Sequence, residues 1–334
     1  MSKILLTGGA GYIGTHIAVC AQAAGHECIL LDNFSNSDRG ALVNLEKIIG
    51  SHPVCITGDV RDYGLVAEVI TKHGINAVIH LAGLKSVEES VTNPELYFDN
   101  NVEGTRSLLA GMEKAGIFRL VFSSSATVYG EPEYLPLDEG HPIRSVNPYA
   151  DSKIQVEKLL AEKCDTDARW QVACLRYFNP VGSHPSGLLG DNPKALRANL
   201  MPMIARVLTG KREFLEIYGN DYDTPDGTCL RDYIHIMDLA EGHINTLNFL
   251  EKSSGCTAIN LGTGHGVSVL DLVRTFEQVI GGEIPLRMAP RRPGDVPACY
   301  ANCDKAKAIM NWEATRNLAT MCESTWEWCK RIES

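Results

Sequence analysis

Lys3-Ile4-Leu5-Leu6-Thr7-Gly8-Gly9-Ala10-Gly11-Tyr12-Ile13-Gly14 decides the fold. Residues 3–7 form an apolar run of strand length. The glycines at 8, 11 and 14 then fall three apart, and a helical pattern opens at Tyr12. A strand that turns through glycines into a helix brings backbone N–H groups and the positive helix end to one point, which suits a pyrophosphate. Gly8 permits the tight turn, Gly11 close approach of the ligand, and Gly14 close helix–strand packing, a variant of the dinucleotide fingerprint.

Further apolar runs occur at 27–32, 54–57, 77–81, 120–124 and 172–177, with helical periodicity at 12–24, 63–72, 94–115 and 150–164. Strands without polar alternation are covered on both faces. Their alternation with helices predicts an α/β fold, a doubly wound parallel sheet with right-handed crossovers. After Tyr177 the rhythm changes. Residues 179–202 are dense in Gly, Pro and Asn, which predicts an irregular segment. A helix over 203–209, a loop over 219–227 and helices over 238–250 and 269–280 follow. We expect a dinucleotide-binding domain over 1–178 and a smaller mixed α/β substrate domain over 179–334, with some elements after 230 returning to the first. Ligands of such sheets bind at the carboxyl ends of the strands.

Composition agrees. The 334 residues suit two domains at about 150 residues each. With 44% hydrophobic and 22% charged residues, disorder, collagen and coiled coil are excluded. A formal charge of −10 repels a phosphate backbone, so no nucleic-acid partner is expected. No apolar run approaches the roughly 18 residues of a membrane span. The opening residues lack a secretory pattern. The 11 cysteines contain no Cys-x-x-Cys pair, so no metal site or disulfide framework is expected. These features predict a cytoplasmic protein with reduced thiols.

Asp32 ends the second strand 18 residues after Gly14, near the ~20 expected of the acid that takes ribose hydroxyls. Its charge repels a 2′-phosphate and no Arg follows it immediately, so NAD is expected over NADP. Asp59, after the third strand with Val60, is placed to accept from an adenine amino group. Leu81, Ala82 and Gly83 offer a small-residue wall, with Lys85, Asn100 and Asn101 nearby.

Tyr149 and Lys153 are four residues apart, on one helix face. A phenol is a poor base at neutral pH; the ammonium and a positive nicotinamide ring are expected to lower its pKa. Ser123-Ser124-Ser125 ends the fifth strand and supplies hydroxyls that can share a proton with substrate. A dehydratase would need an acid just after these hydroxyls, where Ala126-Thr127 stands. A nucleotide sensor without chemistry would not need Tyr149 and Lys153 together. His80 is expected to pack at a strand end, and Trp312, Trp326 and Trp328 to serve the core or an interface.

These motifs, with Leu31-Asp32-Asn33, His80-Leu81-Ala82-Gly83-Leu84-Lys85, Asp99-Asn100-Asn101-Val102, Phe122 to Gly130, Pro148 to Lys153, Leu175 to Gly182, Asn199 to Pro202, Arg231 to Asp238 and Arg291 to Asp295, resemble the extended short-chain dehydrogenase/reductase superfamily. Within it the chain closely resembles the UDP-glucose 4-epimerase family, over nearly its whole length. The resemblance implies tightly held NAD⁺ that takes a hydride from C4 of a UDP-hexose while Tyr149 takes the hydroxyl proton, directly or through Ser125. The 4-keto sugar then turns over and receives the hydride on its other face.

For the cofactor the resemblance implies Gly8, Gly11, Tyr12, Ile13, Gly14, Asp32, Asn33, Asp59, Val60, Leu81, Ala82, Gly83, Lys85, Asn100, Ser125, Tyr149, Lys153, Tyr177 and Phe178. For the UDP-sugar it implies Lys85, Ser125, Tyr149, Asn179, Asn199, Leu200, Tyr218, Arg231, Arg292, Asp295 and Cys299. The two arginines suit a diphosphate, although Arg231 could instead pair with Asp232 or Asp238. Where Cys299 stands, some members carry a Tyr. The smaller thiol implies room for a 2-acetamido group, hence UDP-GalNAc and UDP-GlcNAc, unless Tyr300 refills the space. A homodimer through residues 100–115 and 152–164 is also implied. The alternative is a nucleotide-sugar reductase or dehydrogenase with net redox.

Overall fold

Ile4, Leu5 and Leu6 are fully buried, with Leu5 facing one side of a sheet and its two neighbours the other. Full burial of each such side chain contributes about 1.5–3 kcal/mol. The computed structural model describes residues 1–192, 199–292 and 294–332. The strands β1 (Lys3–Thr7), β2 (Glu27–Asp32), β3 (Val54–Thr57), β4 (Ala77–His80), β5 (Arg119–Ser123) and β6 (Gln171–Tyr177) join a strand at Gly255–Leu261 in one seven-stranded sheet. Its order is β3-β2-β1-β4-β5-β6 with Gly255–Leu261 at the far edge, every pair parallel.

Ile4 and Leu6 pack with Ile17 and Ala21 of helix Tyr12–Ala23 and with Leu239 and Ile244 of helix Ile236–Leu250. Leu5 packs on the other face with Val66 and Ile70 of helix Tyr63–His73, Leu108 and Met112 of helix Gly104–Ala115, and Leu160 of helix Pro148–Thr166. Both faces are covered, which is why these strands read as continuous apolar runs. The chain leaves β1 toward β2 and β3, then returns to place β4 on β1's other side. That reversal opens a crevice at the strands' carboxyl ends.

Two elements depart from expectation. The helix expected over 94–115 divides into Pro94–Tyr97, a π-helical stretch Phe98–Glu103 and Gly104–Ala115. The wider turn re-aims its side chains: Asn101 points inward, accepts from the Leu84 amide (2.8 Å) and donates to the Ser152 hydroxyl (3.0 Å). Helix Gly40–Ile49 was not read from the sequence; Leu45 is its one fully buried residue. Gly255–Leu261 adds a strand to the first sheet from far beyond residue 178.

The rest of the second half is built on small sheets. Leu215–Tyr218 pairs with Leu286–Ala289, while Leu230–Arg231 lies between antiparallel Val267–Ser268 and parallel Ala298–Cys299. Ile204, Leu215, Ile217, Leu272 and Phe276 form its core. Within 179–202, Asn179–Val181 is a short strand against Tyr233–His235, and helix Leu200–Leu208 begins earlier than expected. Residues 193–198 of that segment, and Pro293, lie outside the described residues. Trp312 and Trp328 are buried, as expected of core residues. No helix among the described residues is long and apolar enough to cross a membrane.

Candidate active site

Gly8 adopts φ +69°, and a Cβ there would come within 2.8 Å of the Ala82 amide nitrogen. A Cβ on Gly14 would meet the Gly8 carbonyl at 2.6 Å. Only glycine fits either place. Helix Tyr12–Ala23 starts with no side-chain cap, so its first N–H groups face the crevice unpaired by a side chain. At the end of β2, Asp32 fastens this loop: Oδ2 accepts from the Ala10 amide (3.0 Å), while Oδ1 accepts from the Phe34 amide and the Ser37 hydroxyl (both 2.8 Å).

These residues line a cleft of about 420 Å³, within the usual range for a small-molecule site. Its walls also include Tyr12, Ile13, Asn33, Asp59, Val60, Leu81, Ala82, Gly83, Lys85, Asn100, Tyr149, Lys153 and Tyr177. Phe178 is not in the wall; it packs with Val128, Tyr129 and Ile154 behind it. Asp59 is already engaged. Its Oδ1 accepts from the amide and Nε of Arg61, and its Oδ2 from Arg61 Nη2 and Asn33 Nδ2, all within 3.0 Å. The Arg61 guanidinium holds this carboxyl down, to about 2. The carboxylate expected to meet an adenine amino group is held in place by Arg61 and Asn33.

Asn147 caps helix Pro148–Thr166 by accepting from the Ala150 amide (2.8 Å), with Pro148 in the first turn. That start aims Tyr149 and Lys153 into the cleft. The Lys153 ammonium donates to the Ser123 carbonyl (2.9 Å) and lies 4.7 Å from the centre of the Phe122 ring. Burial pushes its pKa down to about 8, opposed by the Glu157 carboxylate. Burial raises the Tyr149 phenol, opposed by a hydrogen bond with Ser125. Among the protein's own groups, then, the lysine does not hold the phenol down as expected. Ser125 Oγ accepts from the Thr127 hydroxyl (2.9 Å) and amide (3.3 Å). His80 is buried between the hydroxyls of Thr7 and Thr105, and desolvation lowers it to about 3, which leaves it a neutral packing group.

Apart from Lys85, Ser125 and Tyr149, the expected substrate residues stand on the second half. Arg231 donates from Nη2 to Asp295 Oδ1 (3.2 Å) and from Nη1 to the Val296 carbonyl (2.8 Å). Neither Asp232 nor Asp238 is its partner. Asp232 is fully buried and accepts from Thr263, Gly264 and Ala301, whereas Asp238 binds Arg316. Arg292 lies 3.8 Å above the Tyr218 ring, whose hydroxyl donates to Glu216. Cys299 is in register with Arg231 across paired strands. Asn179 begins a short strand, and exposed Asn199 precedes helix Leu200–Leu208, which Leu200 opens. Of the second half, Leu189–Asn192 reach the cleft wall itself.

A family model described as GDP-mannose 4,6 dehydratase matches residues 5–325. A UDP-glucose 4-epimerase of Bacillus subtilis (strain 168) is 49% identical over 325 residues, 97% of this chain and 96% of the relative. The chain belongs to the UDP-glucose 4-epimerase family. A UDP-glucose 4-epimerase from Stenotrophomonas maltophila, crystallised with NAD and formylated UDP-arabinopyranose, superposes with a TM-score of 0.97 at 42% identity, covering 99% of both chains. That from Bifidobacterium longum, in complex with NAD⁺ and UDP, gives 0.95 at 44% identity over 99% of this chain and 98% of the other.

Against the epimerase pattern, the sequence reading missed residues that face the cleft from afar or act beneath it. Leu189–Asn192 fall in the segment expected to be irregular, where no spacing marks them. Asp232 stands in the quoted motif, but its four hydrogen bonds come from residues 31 to 69 positions away. No periodicity reports such a contact.

Proposed function

We propose that the chain interconverts UDP-galactose and UDP-glucose at C4, with NAD held in the cleft of the first half. The observation that carries this reading is the convergence of Tyr149, Lys153 and the glycine turn on one cleft, with Ser125 close enough to the phenol to lower its pKa. The cleft suits the dinucleotide: Gly8 and Gly14 leave no room for a side chain, the helix start offers free N–H groups, and Asp32 Oδ2 has one protein donor. When bound, NAD would supply a reversible hydride acceptor and a positively charged ring. Gly8, Gly11, Gly14 and Asp32 would hold it, with Asn33, Val60, Ala82, Lys85, Asn100 and Tyr177 along the walls.

The protein's own part is proton transfer and grip. Tyr149 accepts the proton of the C4 hydroxyl, directly or through Ser125, and returns it to the C4 oxygen after the ring has turned. Lys153, a cation below about pH 8, stands in the same cleft wall, and the positive ring that bound NAD would add favours the phenolate. Arg231 and Arg292 hold the diphosphate, with Asn179, Asn199, Leu200, Tyr218 and Asp295 around the nucleotide. Because the grip is remote from C4, the hexose ring can turn. Ala126-Thr127 offers no acid for eliminating water, which speaks against the dehydratase named by the family model.

Cys299 extends the substrate range to UDP-GalNAc and UDP-GlcNAc. A thiol beside Arg231 occupies far less volume than a phenol, and the Tyr300 ring is taken up over Gly266. An NMR time course with UDP-galactose and then UDP-GalNAc, without added cofactor, should show both converted. Cys299→Tyr should abolish N-acetyl turnover and spare UDP-galactose. Conversion of UDP-galactose alone by the parent protein would remove the Cys299 argument. No conversion even with NAD⁺ added would favour a net reductase. The same reading includes a homodimer through residues 100–115 and 152–164. Sedimentation equilibrium should then give twice the 36.5 kDa chain, and a monomer would remove it.

A further inference from the structure

Beneath Tyr149 and Lys153 lies a buried ion pair that the proposed chemistry does not use. Tyr149, Lys153 and Glu157 are four residues apart in turn, on one face of helix Pro148–Thr166. Glu157 Oε1 accepts from the Ser124 hydroxyl (2.5 Å) and Arg176 Nε (3.0 Å), and Oε2 accepts from Arg176 Nη2 (2.6 Å). The two side chains are 10% and 5% exposed. Arg176, on β6, donates from Nη1 to the Tyr129 hydroxyl (3.3 Å), which donates to Asn260 on strand Gly255–Leu261 (2.6 Å).

The places this network grips are the residue before Ser125 and the end of the short turn Ala126–Tyr129 after it. Two charges buried together cost desolvation, and replacing such a pair with apolar residues is often neutral or stabilising. Stability alone is therefore a weak reason for a pair here. Resting on the proposed epimerase reading, we propose that Glu157 is the positioning residue of the site: through Ser124 and Arg176 it locks the backbone on both sides of Ser125, and its charge one turn from Lys153 keeps that lysine an ammonium.

The titratable and charged groups near Lys153 are Tyr149 and Glu157 on its own helix, His80 on β4, and Cys174 and Arg176 on β6. His80 is neutral, and the hydrogen-bonded thiol of Cys256, with burial, pushes the Cys174 thiol well up. Glu157 is thus the anion of the set. Replacing it with Gln removes that anion and also leaves the Arg176 cation unbalanced. Both changes disfavour a charged Lys153.

The test is a pH titration of Lys153 by NMR of [ε-¹³C]lysine in the NAD-loaded protein without sugar, its resonance assigned with Lys153→Arg. In Glu157→Gln the midpoint should fall by about one pH unit. With UDP-galactose, kcat should fall roughly tenfold and KM stay within about twofold, because the sugar's grip is elsewhere. Glu157→Asp, which restores the charge, should return the midpoint toward that of the parent. An unchanged midpoint in Glu157→Gln would overturn the electrostatic role. Should that variant not fold, Ser124→Ala keeps the ion pair and removes one bond to the strand end. A drop in kcat at constant KM supports the lock, and an unchanged kcat overturns it. If the parent protein converts no UDP-galactose, the epimerase reading fails, while the Lys153 midpoint still decides the role of Glu157.

Discussion

Burial sets the resting states of the two side chains on which the proposed proton transfer depends. It raises the Tyr149 phenol and lowers Lys153 to about 8. A lysine with a depressed pKa is charged below that value and neutral above it. Turnover that needs the ammonium should therefore decline as pH rises through about 8, visible as the alkaline limb of a kcat profile. Stability moves the other way. Between about 8 and the ordinary 10.5 the unfolded chain holds the proton that the folded chain has released, so this residue's contribution grows more favourable as pH climbs. Tyr149→Phe keeps the ring that lines the cleft and deletes the hydroxyl. It should lower kcat by about 10²- to 10⁴-fold with bound NAD unchanged on release and assay. Loss of NAD together with activity would mean that the phenol serves binding instead.

At the level of elements, legibility followed the reach of the forces. β1, β2, β4, β5 and β6 were visible because each is buried on both faces, and burial writes an apolar run into the sequence; β3, at the sheet edge, is only half-buried. Gly255–Leu261 belongs to the same sheet at its edge. It reads Gly-Cys-Thr-Ala-Ile-Asn-Leu, half-buried at its start, with Asn260 inside serving Tyr129. No apolar run announces it. The π-helical stretch at Phe98–Glu103 was equally hidden, because helical periodicity reports the face and not the extra residue in a turn. For the site, the glycine turn and the Tyr-Lys pair were legible because each is one local device with fixed spacing. Arg231 was legible as a cation but not in its pairing, since Asp295 lies 64 positions away and nearer acids were the obvious partners. Glu157 bears no mark in the sequence, because its partners Ser124 and Arg176 lie 33 and 19 positions away.

Across the whole molecule, the proposed function divides the ligand between the two halves. The glycine turn and Asp32 belong to the first half, and Arg231, Arg292 and Tyr218 to the second. The halves are also joined at the cleft: Tyr12 donates its hydroxyl to the Gly182 carbonyl (2.7 Å), and Asn44 donates to the Leu188 carbonyl (3.1 Å). A ligand that binds only the folded chain stabilises it by about 2.7 kcal/mol at a hundredfold excess over Kd, which raises Tm by several degrees in a chain of this size. NAD⁺ and UDP should each produce such a rise. Arg231→Ala with Arg292→Ala should erase the UDP increment and leave that of NAD⁺, because those guanidinium groups stand outside the cleft wall. Differential scanning calorimetry of the NAD-free protein reads both increments. If the double variant loses the two together, the halves do not bind their parts separately, and the contacts of Tyr12 and Asn44 couple them into one binding unit.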